Sequence, residues 1–499
     1  MIPLSVAEVA AALGVAVQGP GDQDALVADV VVDSRAVRAG SLFVALPGER
    51  VDGHAFVASA LAQGAVAVMT AYPMAQLDGP SLVVEDPLAA LGRLARHVVD
   101  RAIAGGLQVV ALTGSQGKTS TKDLLAEVLE RTGGTVAPYG NLNNELGVPL
   151  TATRVDPDTR YLVVEMGARG VGHIAYLCQL TPPHVGLVLN VGHAHVGEFG
   201  SQQAIAQAKG ELVEALAPQG TAILNADDPL VWAMRSRTAA PSLAFSAEGD
   251  PRVTPAVWAS DVVSDELGRA RFVLHARQAQ ATVNADSRAD VELRLSGRHH
   301  VANAVAAAAA ALALGVDLEV AASGLSAAAL RSRSRMEMHE RTDDVVVIDD
   351  AYNANPESTR AALDTLAEIG RARRRRQPQA RTWALLGDML ELGDSAEDEH
   401  LNVGRYAAEL GIDQLVAVGT LGAALAAGAA AGGMGERAAA VADKDAAAGL
   451  ILPQLHPGDV ILVKASRGLA LDTVAAEIWT APPAASPRPE AARNSEDPA

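Results

Sequence analysis

The stretch Leu107-Gln108-Val109-Val110-Ala111-Leu112-Thr113-Gly114-Ser115-Gln116-Gly117-Lys118-Thr119-Ser120 decides how this chain folds. Residues 107–113 are an apolar run of strand length, the kind that suits a central parallel strand covered on both faces. A glycine-rich polar turn follows, then a helical pattern over 118–131. In such a turn successive backbone N–H groups can wrap a phosphate, and the helix N-terminus adds its dipole. Gly114, Ser115, Gln116, Gly117 and Ser120 would line it. Lys118 supplies a point charge for β- and γ-phosphates, and Thr119 a hydroxyl for Mg²⁺. The general pattern has a glycine five residues before Gly117, where this chain has Leu112, so the loop is a shortened variant.

Working outward, apolar runs recur at 161–164, 184–189 and 221–224, with helical patterns between them, notably 201–216. This alternation predicts a doubly wound α/β sheet. Residues 251–295 are predicted as short strands and turns, and an alanine-rich helix over 299–314 should end at Gly315. Upstream lie a short helix over 6–13, an apolar run at 27–32 and a helix over 87–104, closed by Gly105 and Gly106. Downstream of Arg331, strand-like runs at 345–348, 383–386, 415–418 and 460–463 predict a second, smaller α/β domain. Asn355-Pro356 is a helix start, with Asn as cap and Pro at the first helical position. The Arg373–Arg376 run is expected as a solvated loop, with an anion or partner contact as the alternative. The tail, 481–499, has five prolines and no apolar period, and is expected to be disordered. The predicted division is 1–104, 105–330 and 331–480, then the tail.

The 499-residue length agrees, since about 150 residues per domain gives about three. With 40 Lys+Arg against 59 Asp+Glu, the formal charge of −19 argues against a nucleic-acid coat, which needs a basic stripe. Small anionic substrates are not excluded, because a local site can oppose the global charge. The single cysteine, Cys178, cannot form an internal disulfide and suits a reducing compartment as a small buried hydrophobe. The first residues lack the basic and apolar regions of an export signal. Residues 415–434 are uncharged over a membrane-spanning length, but glycines interrupt them, and a strand, a turn and a short helix explain them better. A cytoplasmic chain without membrane insertion is expected.

Polar groups cluster where the predicted strands end. Glu165 closes YLVVE, and His193 follows the strand ending near Asn190; ligands of open α/β sheets sit at such carboxyl ends. A carboxylate suits hard Mg²⁺, whereas imidazole is a less usual ligand. His195 is expected as a loop residue. Lys209 lies in a helical pattern, and its charge would repel Mg²⁺, so spacing alone makes it a phosphate contact or a surface charge. The string Asp349-Asp350-Ala351-Tyr352-Asn353-Ala354-Asn355-Pro356 is either an Asx-rich turn and cap or a polar site. Arg335, near the second boundary, can stabilise a transferring phosphoryl group if the third domain closes on the second. Lys464-Ala465-Ser466-Arg467-Gly468 places an anion-capable pair at another strand end.

Taken together these strings resemble the Mur ligase family: TGSQGKTST (113–121), GNLNNELGVPLT (140–151), EMGA (165–168), NVGHAHVGEFGS (190–201), DDAYNANPES (349–358) and LGDMLELG (386–393). The resemblance implies three domains: a small α/β N-terminal domain for a uridine nucleotide sugar, a central P-loop sheet for ATP, and a Rossmann-like C-terminal domain that closes over them. It places Ser34 and Arg35 at the UDP-sugar, Asn303 near adenine, Asp350 at the nucleotide and Arg335 at the γ-phosphate. It gives Glu165 and His193 to metal, with two Mg²⁺ implied, and makes Lys209 a carbamoylated lysine, an anion rather than a cation. Asn143, Asn144, Tyr352, Asn353 and Asn355 fall in strings expected to touch substrate. Ser334 and Ala465 stand where the family often has glycine. The implied activity is ATP-dependent addition of D-alanyl-D-alanine to UDP-N-acetylmuramoyl-tripeptide through an acyl phosphate, by a monomer. The alternatives are another amino-acid ligase of the superfamily, a metal-dependent amidohydrolase using His193, His195 and a carbamoylated Lys209, and a nucleotide-binding scaffold without turnover.

Overall fold

Gln108–Thr113 is the predicted strand, and its side chains alternate between two hydrophobic cores, Val109 and Ala111 in one, Val110 and Leu112 in the other. Strand side chains point to opposite faces in turn, so a strand covered on both sides is apolar throughout. The structure, a computed structural model, describes residues 1–48, 51–192, 196–278, 286–329 and 331–482. Within them this strand belongs to a nine-stranded sheet. Its order is Ser287–Ser296, Arg269–Arg277, Ala256–Ser264, Ser242–Ser246, Thr221–Asn225, Val185–Val188, Gln108–Thr113, Thr159–Glu165, Gly134–Val136. The strands from Ala256–Ser264 to Gly134–Val136 run parallel, and the remaining pair is antiparallel.

Strand order sets where ligands can sit. From Gln108–Thr113 the chain first builds strands on one side of it, then crosses to build Val185–Val188 and its successors on the other. The reversal leaves a crevice at the carboxyl ends of these strands, where open α/β sheets bind ligands. Helices Lys118–Glu130, His299–Ala313 and Leu318–Ala327 cover one face; Pro87–Ala104, His173–Leu180 and Gln202–Glu214 cover the other.

The region 251–295 differs from expectation. It forms strands of nine, nine and ten residues rather than short ones. Arg269–Arg277 alternates buried with exposed or half-buried positions, the mark of an antiparallel strand with one wet face. The alanine-rich helix ends as predicted, with Gly315 at φ +81° beyond it.

The described chain divides into two compact units. One comprises Met1–Arg335, Asn355–Ala361 and Glu391–Ser395; the other comprises Met336–Ala354, Ala362–Leu390 and the residues from Ala396 on. In the first, a five-stranded sheet (Val17–Gln18, Ser81–Val83, Ala67–Thr70, Ser41–Val44, Asp29–Val31) shares a core with the large sheet, so apolar packing runs across Gly105-Gly106. Cys178 is buried there, and burial pushes its thiol pKa up to about 12, so it is the inert core residue expected.

The second unit holds a six-stranded sheet in the order Glu337–Glu340, Val346–Asp349, Val460–Lys464, Thr382–Gly387, Gln414–Val418, Ala438–Val441, parallel except for the first strand. The segment 415–434 supplies a strand and the helix Gly422–Ala429, and no described helix is long and apolar enough to cross a membrane. The Arg373–Arg376 run is not a loop: it is the last turn of helix Pro356–Arg376. Arg373 pairs with Asp344 at 2.5 Å and Arg374 with Asp413 at 2.8 Å, and cations are favoured at a helix C-terminus. The tail beyond residue 482 lies outside the described residues.

Candidate active site

The glycine turn is shaped by a residue that sequence reasoning passed over. Asn190, just after Val185–Val188, accepts from Ser115 N at its carbonyl (3.1 Å) and from Gln116 N at Oδ1 (3.0 Å). Its Nδ2 donates back to Gln116 O (3.2 Å), and Gly192 N donates to Ser115 Oγ (2.9 Å). These bonds fix the turn from the neighbouring strand. Helix Lys118–Glu130 then opens, with Thr121 N bonded to Gly117 O at 2.9 Å. The amides of Lys118, Thr119 and Ser120 have no carbonyl within the helix to bond, so the turn concentrates donors for an anion.

Gly117 has to be glycine on two counts. Its φ is +79°, and a Cβ there would lie 2.4 Å from Asn303 Oδ1. Asn303, from helix His299–Ala313, therefore sits directly against the phosphate turn. Lys118 is half-buried and folds its Nζ onto Gly114 O at 2.7 Å. Desolvation lowers its pKa, the Glu165 carboxylate opposes that, and the Arg335 charge adds to it. All of these groups belong to the first unit.

Glu165 closes its strand beside the turn and is 1% exposed. Its Oε2 accepts from Thr119 Oγ1 (2.8 Å) and its Oε1 from Asn143 Nδ2 (2.7 Å). Among the described residues, both bonding partners are neutral. A buried carboxylate that no cation neutralises directly, with a hydroxyl at its side, is an oxygen donor set that fits Mg²⁺.

Lys209, on helix Gln202–Glu214, is buried, which removes the surface-charge reading. No carboxylate pairs with it among the described residues. Desolvation, then the Lys118 charge, push its pKa well below the usual lysine value. His193 and His195 lie outside the described residues.

The other expected residues divide between structural and open positions. Asn144 Oδ1 accepts from Gly147 N (2.9 Å), bracing the turn ahead of a short helix, and Asn355 Oδ1 accepts from Ser358 N (2.8 Å), the predicted cap. Arg35 is exposed and folds onto Asp33, which holds that carboxyl down to about 2; Ser34 begins the same single turn of helix. In the second unit, Lys464 Nζ donates to Asp350 Oδ2 (2.6 Å) and to Asn353 O (2.9 Å), and Arg467 Nη1 to Tyr352 OH (3.2 Å). Asp350, Tyr352 and Asn353 are thus gathered around the strand end that carries Lys464 and Arg467.

Comparison with known proteins identifies the family. The Mur ligase middle domain matches residues 112–311, the Mur ligase glutamate ligase domain residues 334–467, and the Mur ligase family catalytic domain residues 27–99. A UDP-N-acetylmuramoyl-tripeptide–D-alanyl-D-alanine ligase of Mycobacterium tuberculosis (strain ATCC 25618 / H37Rv) is 45% identical over 95% of this chain and 97% of its own. The chain belongs to the Mur ligase family. A crystal structure of MurF from Acinetobacter baumannii matches it at a TM-score of 0.82 and 34% identity, over 96% of this chain and 99% of that one. MurF ligase from Thermotoga maritima in complex with ADP matches at 0.74 and 27%, over 91% and 97%. As a Mur ligase the chain has the three-domain α/β fold of the family and is an ATP-binding ligase.

Proposed function

We infer that this chain uses ATP to join D-alanyl-D-alanine to UDP-N-acetylmuramoyl-tripeptide, releasing ADP and phosphate in peptidoglycan synthesis. The substrates follow from 45% identity, across nearly the whole of both chains, to a ligase of that name. The observation that carries the chemistry is the phosphate turn set beside a buried Thr119–Glu165 pair.

A carboxylate is a poor electrophile, so the tripeptide carboxylate first takes the γ-phosphoryl group of ATP to become an acyl phosphate. The amine of D-alanyl-D-alanine then attacks the acyl carbon, and phosphate leaves. The first-turn amides and Lys118 hold the phosphates, with a phosphate oxygen replacing Gly114 O as the partner of Nζ. Thr119 and Glu165 would hold Mg²⁺, of which we propose two ions, with His193 assigned to metal by the family resemblance. Bound Mg²⁺ supplies a Lewis acid that offsets charge on the phosphoryl oxygens. Asn303 meets the adenine side of ATP and Arg335 the γ-phosphate.

Lys209 is the carbamoylated residue of this reading. Carbamate forms from a neutral amine and CO₂, and burial with no carboxylate partner among the described residues favours the neutral amine. The product is an anion suited to orient metal. Segment 1–104 takes the UDP-sugar through Ser34 and Arg35, 105–330 takes ATP, and 331–480 helps admit the amine, with Asp350 at the nucleotide. Asn143, Asn144, Tyr352, Asn353 and Asn355 border the peptide substrates. The reading keeps the chain cytoplasmic and monomeric.

The test is phosphate release by purified protein given UDP-N-acetylmuramoyl-tripeptide, D-alanyl-D-alanine, ATP and Mg²⁺. Release should depend on both acceptor substrates, and Lys118→Ala should cut turnover by about 10²-fold or more. Release independent of D-alanyl-D-alanine would sink the assignment.

A further inference from the structure

Three carboxylates on the helix that opens the phosphate turn grip the chain just ahead of Arg335. Asp123, Glu127 and Glu130 lie at i, i+4 and i+7 of helix Lys118–Glu130, so they share one face. Arg331 reaches Glu130 with both terminal nitrogens, Nη1 to Oε1 and Nη2 to Oε2 at 2.6 Å each, and Glu127 Oε2 at 3.0 Å. This is a two-pronged guanidinium–carboxylate fork, which fixes orientation as well as distance. One residue on, Ser332 N donates to Asp123 Oδ2 at 3.2 Å. Asp123 is 1% exposed, is ion-paired with Lys122, and Lys122 Nζ also donates to Pro138 O at 2.9 Å. The grip on Ser332 therefore comes from a buried, braced carboxylate.

The chain beyond this grip is unusual. Ser334 has φ +55° and Met336 φ +54°, the left-handed region that residues with a β-carbon rarely adopt. Conformations of this kind persist when surrounding contacts over-determine them, and they gather at functional sites. Only Arg333 and Ser334 separate the gripped Ser332 from Arg335, so the grip and the Ser334 turn together set the direction in which the chain carries Arg335 past helix Lys118–Glu130.

We propose that Arg331 and Asp123 are positioning residues for the phosphoryl-transfer step, holding Arg335 in register with the phosphate turn through the Asp123–Glu127–Glu130 face of the turn's own helix. The proposal rests on the reading of Arg335 as a γ-phosphate contact. In its support, the Arg335 charge is felt at Lys118 on the same helix.

The test is steady-state and binding measurement on the full-length protein with Arg331→Met, Arg331→Lys, Asp123→Asn, Arg335→Ala and the double variant Arg331→Met/Arg335→Ala. Arg331→Met should lower kcat at least tenfold while ADP affinity by calorimetry stays within threefold, because the turn itself is untouched. Arg331→Lys, which keeps the charge without the fork, should fall between Arg331→Met and the parent. In the Arg335→Ala background, Arg331→Met should cost no further kcat, since its effect passes through Arg335. Multiplying losses in the double variant, or ADP affinity falling in step with kcat, would overturn the proposal in favour of a merely structural ion pair. If Arg335→Ala itself leaves kcat within twofold, the reading of Arg335 falls and the proposal with it. If Arg335→Ala is slow but Arg331→Met, Arg331→Lys and Asp123→Asn are normal, the Arg335 reading stands and only this proposal fails.

Discussion

At the scale of single residues, the phosphate turn depends on one missing side chain. A methyl group at Gly117 would meet Asn303 Oδ1 at 2.4 Å, and φ +79° already disfavours alanine by about 1 kcal/mol. Gly117→Ala must therefore move Asn303, the turn, or both, and both belong to the proposed nucleotide site. We expect ADP affinity to fall at least tenfold by calorimetry, with folded content unchanged by circular dichroism. Unchanged affinity would mean that the turn does not carry the phosphates. Lys209 gives a second check. Its burial and the lack of a carboxylate partner among the described residues predict an added mass of about 44 Da, one CO₂, in native mass spectra taken with bicarbonate, absent from Lys209→Met. An unmodified lysine in well-folded protein under those conditions would count against carbamoylation.

At the scale of elements, the second unit has its own clamp. Asp388, just after strand Thr382–Gly387, accepts from Thr420 N, Thr420 Oγ1 and Leu421 N, each at 2.9 Å. It closes the turn before helix Gly422–Ala429, whose Gly419 could not carry a Cβ, since one would lie 2.4 Å from the Asp388 carboxylate. Asp388→Ala strips these donors of their acceptor in a half-buried place, at a cost of about 1–3 kcal/mol. Urea unfolding followed by a probe in the second unit should show the loss, and a change under about 0.5 kcal/mol would refute the clamp.

How far such elements were legible follows from what each one packs against. Gln108–Thr113 and Thr382–Gly387 are buried on both sides, so apolarity alone marked them. The strands over 256–296 were underestimated because their outer face is polar, which breaks the apolar run without ending the strand. Arg373 and Arg374 were assigned to a loop because their partners, Asp344 and Asp413, are distant in sequence. The phosphate turn and Glu165 were visible as local strings. Asn190 was not singled out, since its role is to bond a turn 74 residues earlier, which no local pattern encodes.

At the scale of the whole molecule, acid should act unequally on the two units. His184 and His300 lie in the first unit and His400 in the second, and burial lowers the pKa of each, that of His300 most. His184 Nδ1 accepts from Val109 N (3.0 Å) and His400 Nε2 from Met389 N (2.9 Å), bonds that only an unprotonated nitrogen can accept. Below about pH 6.5 the unfolded chain protonates these rings while the folded chain resists, so unfolding takes up protons and stability falls as pH falls. Each such proton is worth about 1.4 kcal/mol per pH unit, so two groups give the first unit up to about 2.8 kcal/mol per pH unit against about 1.4 for the second. Calorimetric scans from pH 7.5 to 5.5 should show two transitions, assigned through Asp388→Ala, with the first unit's midpoint falling faster. His300→Gln should flatten the pH dependence of the first unit alone. Midpoints that fall in parallel, or a first unit insensitive to acid, would show that these buried rings do not govern the acid response.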